Sequence, residues 1–417
     1  GCFLFPRVSA DMSGGFEIQL WWLLVLPLFF GFGWVAARID IKQLVRESRA
    51  LPRSYFKGLN FLLNEQPDQA IEAFLEAARV DPETIELHFA LGNLFRRRGE
   101  TDRAIRVHQN LIERDGSAIA AQGAVRQLSD EQRLHALAEL GQDYLKAGLL
   151  DRAEDIFLKL RGTQRDEEAL RFLLEIYQQE KDWLRAIGVA RSLPEHARHL
   201  WQKEIANFHC ELAASSLLHG QIAEAHRHLD DALAENRKCV RAALLQGEVA
   251  LAEGNTAAAI ESWKRIEQQN PVYLSLAAPK LLEAMRNEGR EEAGIQLLRG
   301  WFSQHPSLDL LDTVYQSEMQ TCGPQAAYQL VRDELRRNPT LLGLDKLYEA
   351  QVQFAPLEQR GDLELVRSLI HNHTRRVARY RCDACGFKAR QFYWRCPACG
   401  GWETYPPRRT EEFDLAP

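Results

Sequence analysis

The sequence predicts an all-α protein: a superhelix of stacked helix–turn–helix repeats, preceded by one transmembrane helix and closed by a small metal-bound module. Three observations carry this reading. Small residues recur at a spacing of 34 through the middle of the chain. An uncharged apolar stretch near the N-terminus is long enough to cross a bilayer. Four of the eight cysteines stand in two Cys-x-x-Cys pairs close to the C-terminus.

The apolar stretch runs from Ile18 to Ala37, twenty residues without a charge. At 1.5 Å per residue a helix of that length covers about 30 Å, the thickness of a bilayer core. Trp21, Trp22 and Trp34 fall near its ends, where aromatic belts lie. A cleaved signal peptide is the rival reading, but the apolar run is too long for one and lacks a basic lead-in. Arg38, Lys42, Arg46, Arg49, Arg53 and Lys57 follow the span, whereas only Arg7 precedes it, offset by Asp11 and Glu17. The positive-inside rule therefore puts the long C-terminal part in the cytoplasm. Met12 offers an alternative start that leaves Gly1 to Asp11 upstream.

From Leu51 onward the pattern is helical and repetitive. Gly58 and Gly92 are 34 apart, and so are Ala70 and Ala104. A Gly-x4-Ala step recurs at Gly99/Ala104, Gly148/Ala153, Gly220/Ala225 and Gly254/Ala259. Its glycine suits the turn between two helices, and its alanine lets them approach closely. Looser steps follow Tyr177/Ala186, Gly289/Leu298 and Ala327, and Pro82, Pro271, Pro306 and Pro339 close several units. This is the tetratricopeptide pattern, in which no unit can bury its apolar face alone and the units stack. The segment "IAAQGAVRQLSDEQR" between the second and third units lengthens a helix or adds a short one. Such a superhelix has a groove lined by first helices. Phe89, Asn93, Arg96, Arg97 and Gln142 are expected to face it as partner-binding residues, with the arginines suited to carboxylates.

With 417 residues, 46% hydrophobic and 26% charged, the chain has material for two or three globular domains. The net charge of −6 and pI near 6.1 argue against nucleic acid as a partner. Cys2, Cys210, Cys239 and Cys322 are scattered singly and suit a reducing compartment. The chain reads as non-enzymatic: it has no phosphate-binding loop of Walker type, no His-Glu-x-x-His and no nucleophile elbow. "HRH" (His226, His228) and "HNH" (His371, His373) are expected to be exposed helix residues.

The stretch "YRCDACGFKARQFYWRCPACGGWETY" places Cys382, Cys385, Cys396 and Cys399 as two knuckles, each followed by glycine. Four thiolates in this spacing suit one tetrahedral metal in a rubredoxin-like or zinc-ribbon module. Iron and zinc both satisfy that donor set. Tyr393, Trp394 and Trp402 supply an apolar cover, and metal binding supplies much of the folding free energy. A structural role is the leading reading of the module. Electron transfer is one alternative; contact with nucleic acid through the basic run Arg375, Arg376, Arg379 and Arg381 is the other.

The order of span, repeats and "CxxCG…CPxCG" module resembles the lipopolysaccharide assembly protein B family of Gram-negative inner membranes. The segments "LPRSYFKGLNFLLNEQPDQAIEAF" and "YRCDACGF…WRCPACGGW" carry the likeness, which covers nearly the whole chain. The longer leader ahead of the span departs from the family pattern. The resemblance implies a non-catalytic, single-pass inner-membrane adaptor with its bulk on the cytoplasmic side. It implies a rubredoxin-type centre on Cys382, Cys385, Cys396 and Cys399. It also implies control of lipopolysaccharide synthesis through proteolysis of the deacetylase LpxC by the membrane protease FtsH, and organisation of synthesis enzymes at the membrane. The boundaries then read as leader 1–17, transmembrane helix 18–37, basic juxtamembrane segment 38–50, repeats 51–375, metal module 380–406 and tail 407–417.

Overall fold

The computed structural model describes residues 53–64, 66–80, 85–115, 128–377 and 380–409. The expected leader and transmembrane helix, residues 38–50 and the end of the tail lie outside these, as does most of the extra segment between the second and third units. Among the described residues no helix is long and apolar enough to cross a membrane. The chain divides into two compact units, residues 1–160 and 161–417.

Among the described residues the first unit contains three helix pairs: α1 (Arg53–Leu63) with α2 (Pro67–Val80), α3 (Ile85–Arg97) with α4 (Thr101–Asp115), and α5 (Asp130–Lys146) with α6 (Leu150–Lys159). Helix α5 starts at a capping box, in which Ser129 and Gln132 satisfy each other's backbone N–H. One contact repeats at a spacing of sixteen residues. A Cβ on Gly58 would strike the Phe74 ring, one on Gly92 the His108 ring, and one on Gly141 the Phe157 ring. The missing side chain on each first helix is the socket for a ring from the second.

The second unit continues with α7 (Asp166–Glu180), α8 (Trp183–Ser192), the short α9 (Glu195–Arg198), α10 (Gln202–Leu218), α11 (Ile222–Glu235), α12 (Val240–Ala252), α13 (Thr256–Lys264) and the short α14 (Ile266–Gln269). It then runs through α15 (Leu274–Asn287), α16 (Glu291–Gln304), α17 (Leu308–Thr321), α18 (Pro324–Arg337), α19 (Leu341–Phe354) and α20 (Leu357–Val377). The ring-in-socket contact recurs here: Gly247 of α12 lies against Trp263 of α13, whose Nε1 donates to the Leu244 carbonyl at 3.1 Å. The largest apolar core runs from Val240 to Ala350 and holds Trp263, Trp301 and Tyr315 fully buried.

The Gly-x4-Ala steps have a common local cause. Gly99, Gly148, Gly220 and Gly254 all adopt positive φ at the inter-helix turn, and the alanines five residues on are fully buried. The looser step before Ala186 uses the same turn with Lys181 at φ 59°. A side chain in that conformation costs about 1 kcal/mol relative to glycine. Lys181→Gly should therefore raise the stability of this unit by about 1 kcal/mol in urea unfolding. An unchanged or lower midpoint would contradict the strain.

The C-terminal module has almost no regular structure. Strand β1 (Tyr380–Arg381) pairs antiparallel with β2 (Lys388–Ala389), with Tyr380 opposite Ala389. Tyr405 is fully buried behind them and donates its hydroxyl to the carbonyls of Tyr380 (3.1 Å) and Ala389 (3.3 Å).

Candidate metal centre and the repeat face that holds it

The two knuckles are built alike. The Gly386 N–H donates to the Cys382 carbonyl and the Gly400 N–H to the Cys396 carbonyl, both at 2.9 Å. The Cys382 N–H donates to the Phe387 carbonyl and the Cys396 N–H to that of Gly401, again at 2.9 Å. Gly386 and Gly400 close these turns at φ +75° and +72°, a conformation that favours glycine.

The turns bring the four sulfurs together. Cys382 Sγ lies 3.8 Å from Cys399 Sγ, and Cys385 Sγ 3.7 Å from Cys396 Sγ. All four fall within 4.8 Å of one another. Sulfurs at tetrahedral corners about 2.3 Å from a metal are separated by about 3.8 Å, so the cluster fits a Cys-bound metal ion. Its electrostatics agree. At Cys382 burial opposes ionisation, but the Thr404 hydroxyl and the N–H groups of Cys385 and Ala384 outweigh it and hold the thiol at about 6. At Cys396 burial wins over the N–H groups of Cys399 and Ala398, and the thiol is pushed up to about 12. A divalent cation among the sulfurs removes that conflict. Cys382 and Cys396 are buried, whereas Cys385 and Cys399 are exposed.

The module is not a free end piece. It lies against several helices of the second unit and the short 3-10 turn Pro271–Tyr273. Trp402 is buried beside Trp183 and Phe208, edge-on to both at 5.8 and 5.9 Å, and its Nε1 donates to Gln178 Oε1 at 3.2 Å. Arg395 Nη1 donates to the Gln178 carbonyl at 3.0 Å. Glu403 accepts from Asn207 Nδ2 at 2.8 Å. The Arg241 guanidinium stands over the rings of both Trp394 and Trp402. Trp394 stacks on Tyr273, with centroids 5.3 Å apart and planes 7° from parallel. Asp309 receives the Tyr380 hydroxyl at 2.8 Å and Arg409 Nε at 2.9 Å. These contacts draw on α7, α8, α10, α12 and α17 and on the 3-10 turn Pro271–Tyr273. Trp402→Ala should cost about 3–5 kcal/mol of docking free energy. Hydrogen exchange across residues 380–409 should speed up while metal content stays constant. Unchanged protection would show that the other contacts suffice.

A profile described as "Rubredoxin metal binding domain" matches residues 380–407, and one described as "Tetratricopeptide repeat" matches residues 57–119 and 212–272. The chain is 35% identical over 393 residues to "Lipopolysaccharide assembly protein B" of Escherichia coli (strain K12), covering 93% of this chain and 97% of that protein. It belongs to the lipopolysaccharide assembly protein B family. The relative of that name from Haemophilus influenzae is 31% identical over 407 residues, covering 94% of this chain and 98% of that protein.

In this member of the family, three of the five residues expected to line a partner groove, Phe89, Asn93 and Arg96, make contacts within the first unit. Arg96 on α3 donates from Nη1 to Asp143 Oδ1 (2.8 Å) and the Glu139 carbonyl (3.1 Å), and from Nη2 to Glu139 Oε2 (2.5 Å) and Asn93 Oδ1 (2.7 Å). Its guanidinium thus already holds two carboxylates from α5. Phe89 stacks on His135 with centroids 4.4 Å apart. Gln142 is half-buried on α5, and Arg97 is exposed. Burial opposes ionisation of Glu139, but hydrogen bonds from His135 and Arg96 outweigh it and hold the carboxyl at about 2. His108 fills the Gly92 socket where the neighbouring pairs place phenylalanine, and its Nδ1 lies 2.5 Å from Asp143 Oδ2. Gln178, Asn207, Arg241 and Asp309, which hold the ribbon, were not singled out from sequence, because each is an ordinary polar residue on an amphipathic helix.

The expectation that both histidines of "HRH" are exposed is corrected. His226 reaches solvent beside Glu253, but His228 is buried against His209. A separation of two turns the side chains about 200° apart on a helix, so one must face the partner helix.

Proposed function

We propose that this chain is a membrane-anchored adaptor that controls lipopolysaccharide synthesis. It brings the deacetylase LpxC to the membrane protease FtsH and helps organise synthesis enzymes at the inner membrane. Residues 18–37 serve as the anchor, residues 51–375 as the cytoplasmic binding scaffold, and Cys382, Cys385, Cys396 and Cys399 as the metal ligands. The names of the relatives support a place in lipopolysaccharide assembly. The observation that carries the adaptor reading is the seating of the ribbon on several repeat elements of the second unit through Trp402, Trp394 and Asp309. Ribbon and repeats then present one recognition surface, built from large side chains and charged groups. Tethering that surface to the bilayer raises its effective concentration near a membrane protease without new contacts. In cells, the half-life of LpxC should lengthen several-fold when Trp402→Ala replaces the wild type, and again when the anchor is removed. An unchanged half-life in both would defeat the reading.

The metal is iron, as the rubredoxin-type resemblance implies, or zinc, and the four thiolates accept either. The exposure of Cys385 and Cys399 gives an electron-transfer role one supporting observation, since two sulfurs reach solvent. Visible absorption that bleaches on reduction separates iron from colourless zinc. Unaltered regulation by the zinc-substituted protein would dismiss electron transfer.

A further inference from the structure

A second group of metal-ligating side chains lies outside the cysteine centre, within one helix pair. His209 projects from α10, and His228 and Asp231 project one turn apart from α11. His209 Nδ1 lies 3.4 Å from His228 Nδ1 and 3.8 Å from Asp231 Oδ2, and the three ligand atoms fall within 4.8 Å of one another. Nitrogen ligands at tetrahedral corners around zinc are about 3.3–3.4 Å apart. The two imidazole nitrogens therefore already stand at the separation of a bridging ion. We propose that His209, His228 and Asp231 form a second metal site for a borderline divalent cation such as zinc.

Burial and access both suit the proposal. The two histidines are almost fully buried, while the Asp231 side chain is 44% exposed and opens the cluster to solvent. Burial lowers both imidazoles, His209 to about 4, so both rings are neutral at pH 7 and carry a free lone pair. Two neutral imidazoles and one carboxylate are a donor set that zinc accepts, and the fourth position is left for water or a ligand.

Arg191 sets the competition at the site. Its Nη2 lies 3.4 Å from His209 Nε2 and 2.8 Å from Glu235 Oε1. Because an arginine only donates, this contact assigns the His209 proton to Nδ1, pointing at His228. Zinc takes the place of that proton. The imidazole proton then moves through solvent to Nε2, which no longer accepts from Arg191, and Arg191 withdraws to Glu235. A simple histidine–histidine hydrogen bond is the competing account, and it predicts no cation at all.

Zinc binding to the purified full-length protein distinguishes the two. The cysteine centre is kept filled, as checked by protection of its thiols from alkylation. Metal counting and calorimetry with zinc should then show one further equivalent. His228→Gln should abolish it, Asp231→Asn should weaken it at least tenfold, and Arg191→Gln should tighten it. Asp231 and Arg191 are partly exposed, so these variants decide the matter even if His228→Gln fails to fold. The proposal is overturned by the absence of a further equivalent in the wild type. Undiminished binding in Asp231→Asn, or unchanged or weaker binding in Arg191→Gln, overturns it equally.

Discussion

Cys382→Ser with Cys396→Ser should abolish metal binding at the cysteine centre and unfold residues 380–409 as a unit. The core of the module is Tyr380, Tyr405 and the two buried cysteines, covered by Phe387, Ala389, Phe392 and Tyr393. So small a core cannot outweigh the conformational entropy of about thirty residues, at roughly 1–2 kcal/mol each. Binding of a structural metal by four thiolates supplies on the order of 10–16 kcal/mol, which is the folding free energy of such a domain. The loss should extend beyond the module. Trp402, Trp394 and Glu403 would leave Trp183, Phe208, Tyr273 and Asn207, exposing an apolar face on the repeats. The expected signs are a red-shifted tryptophan emission, loss of the cysteine-bound metal and a lower melting temperature of the second unit. An unaltered melting temperature with the cysteine-bound metal gone would show that packing alone holds the ribbon.

The second large effect is expected at Arg96. Its guanidinium is the cation shared by Glu139 and Asp143, and the Asp143 side chain is fully buried. Arg96→Ala leaves those carboxylates without their cation, a change that costs about 3–5 kcal/mol when the charges are buried. Arg96→Lys should recover only part of the loss, because a single ammonium cannot reproduce donation to Glu139, Asp143 and Asn93 together. Urea unfolding of the first unit measures both. The same network predicts an acid sensitivity. The Glu139 carboxyl is held at about 2 in the folded chain, below its ordinary value of 4.5. Between those values the unfolded chain binds a proton that the folded chain does not. This contribution is therefore fully present above about pH 4.5 and is lost as pH falls to about 2. With allowance for solvent screening it amounts to about 2 kcal/mol. Glu139→Gln should flatten the stability profile across that window; an unchanged profile would assign the acid loss to other carboxylates.

The helical repeats were legible because their signals are local. A glycine at positive φ and a buried alanine five residues later are consequences of one turn, and they appear in the sequence at Gly99/Ala104 and Gly148/Ala153 as plainly as in the structure. The sixteen-residue step from Gly58 to Phe74 is equally short in range, although at Gly92 the ring is a histidine and apolar periodicity passes over it. The cysteine cluster was legible for the same reason, since two knuckles of five residues each dictate where their sulfurs point.

What the sequence by itself determined is therefore the family, the helical-repeat class and the four cysteines that come together. Only the tertiary structure decided where the ribbon lies, what Arg96 holds, and that His228 meets His209. The physical reason is separation along the chain. Trp402 reaches Gln178 across 224 residues, Arg409 reaches Asp309 across 100, and Arg96 reaches Asp143 across 47. No periodicity encodes such partners. They are selected when stacked helices bring distant polar side chains into one low-dielectric space, where each must find a complementary group.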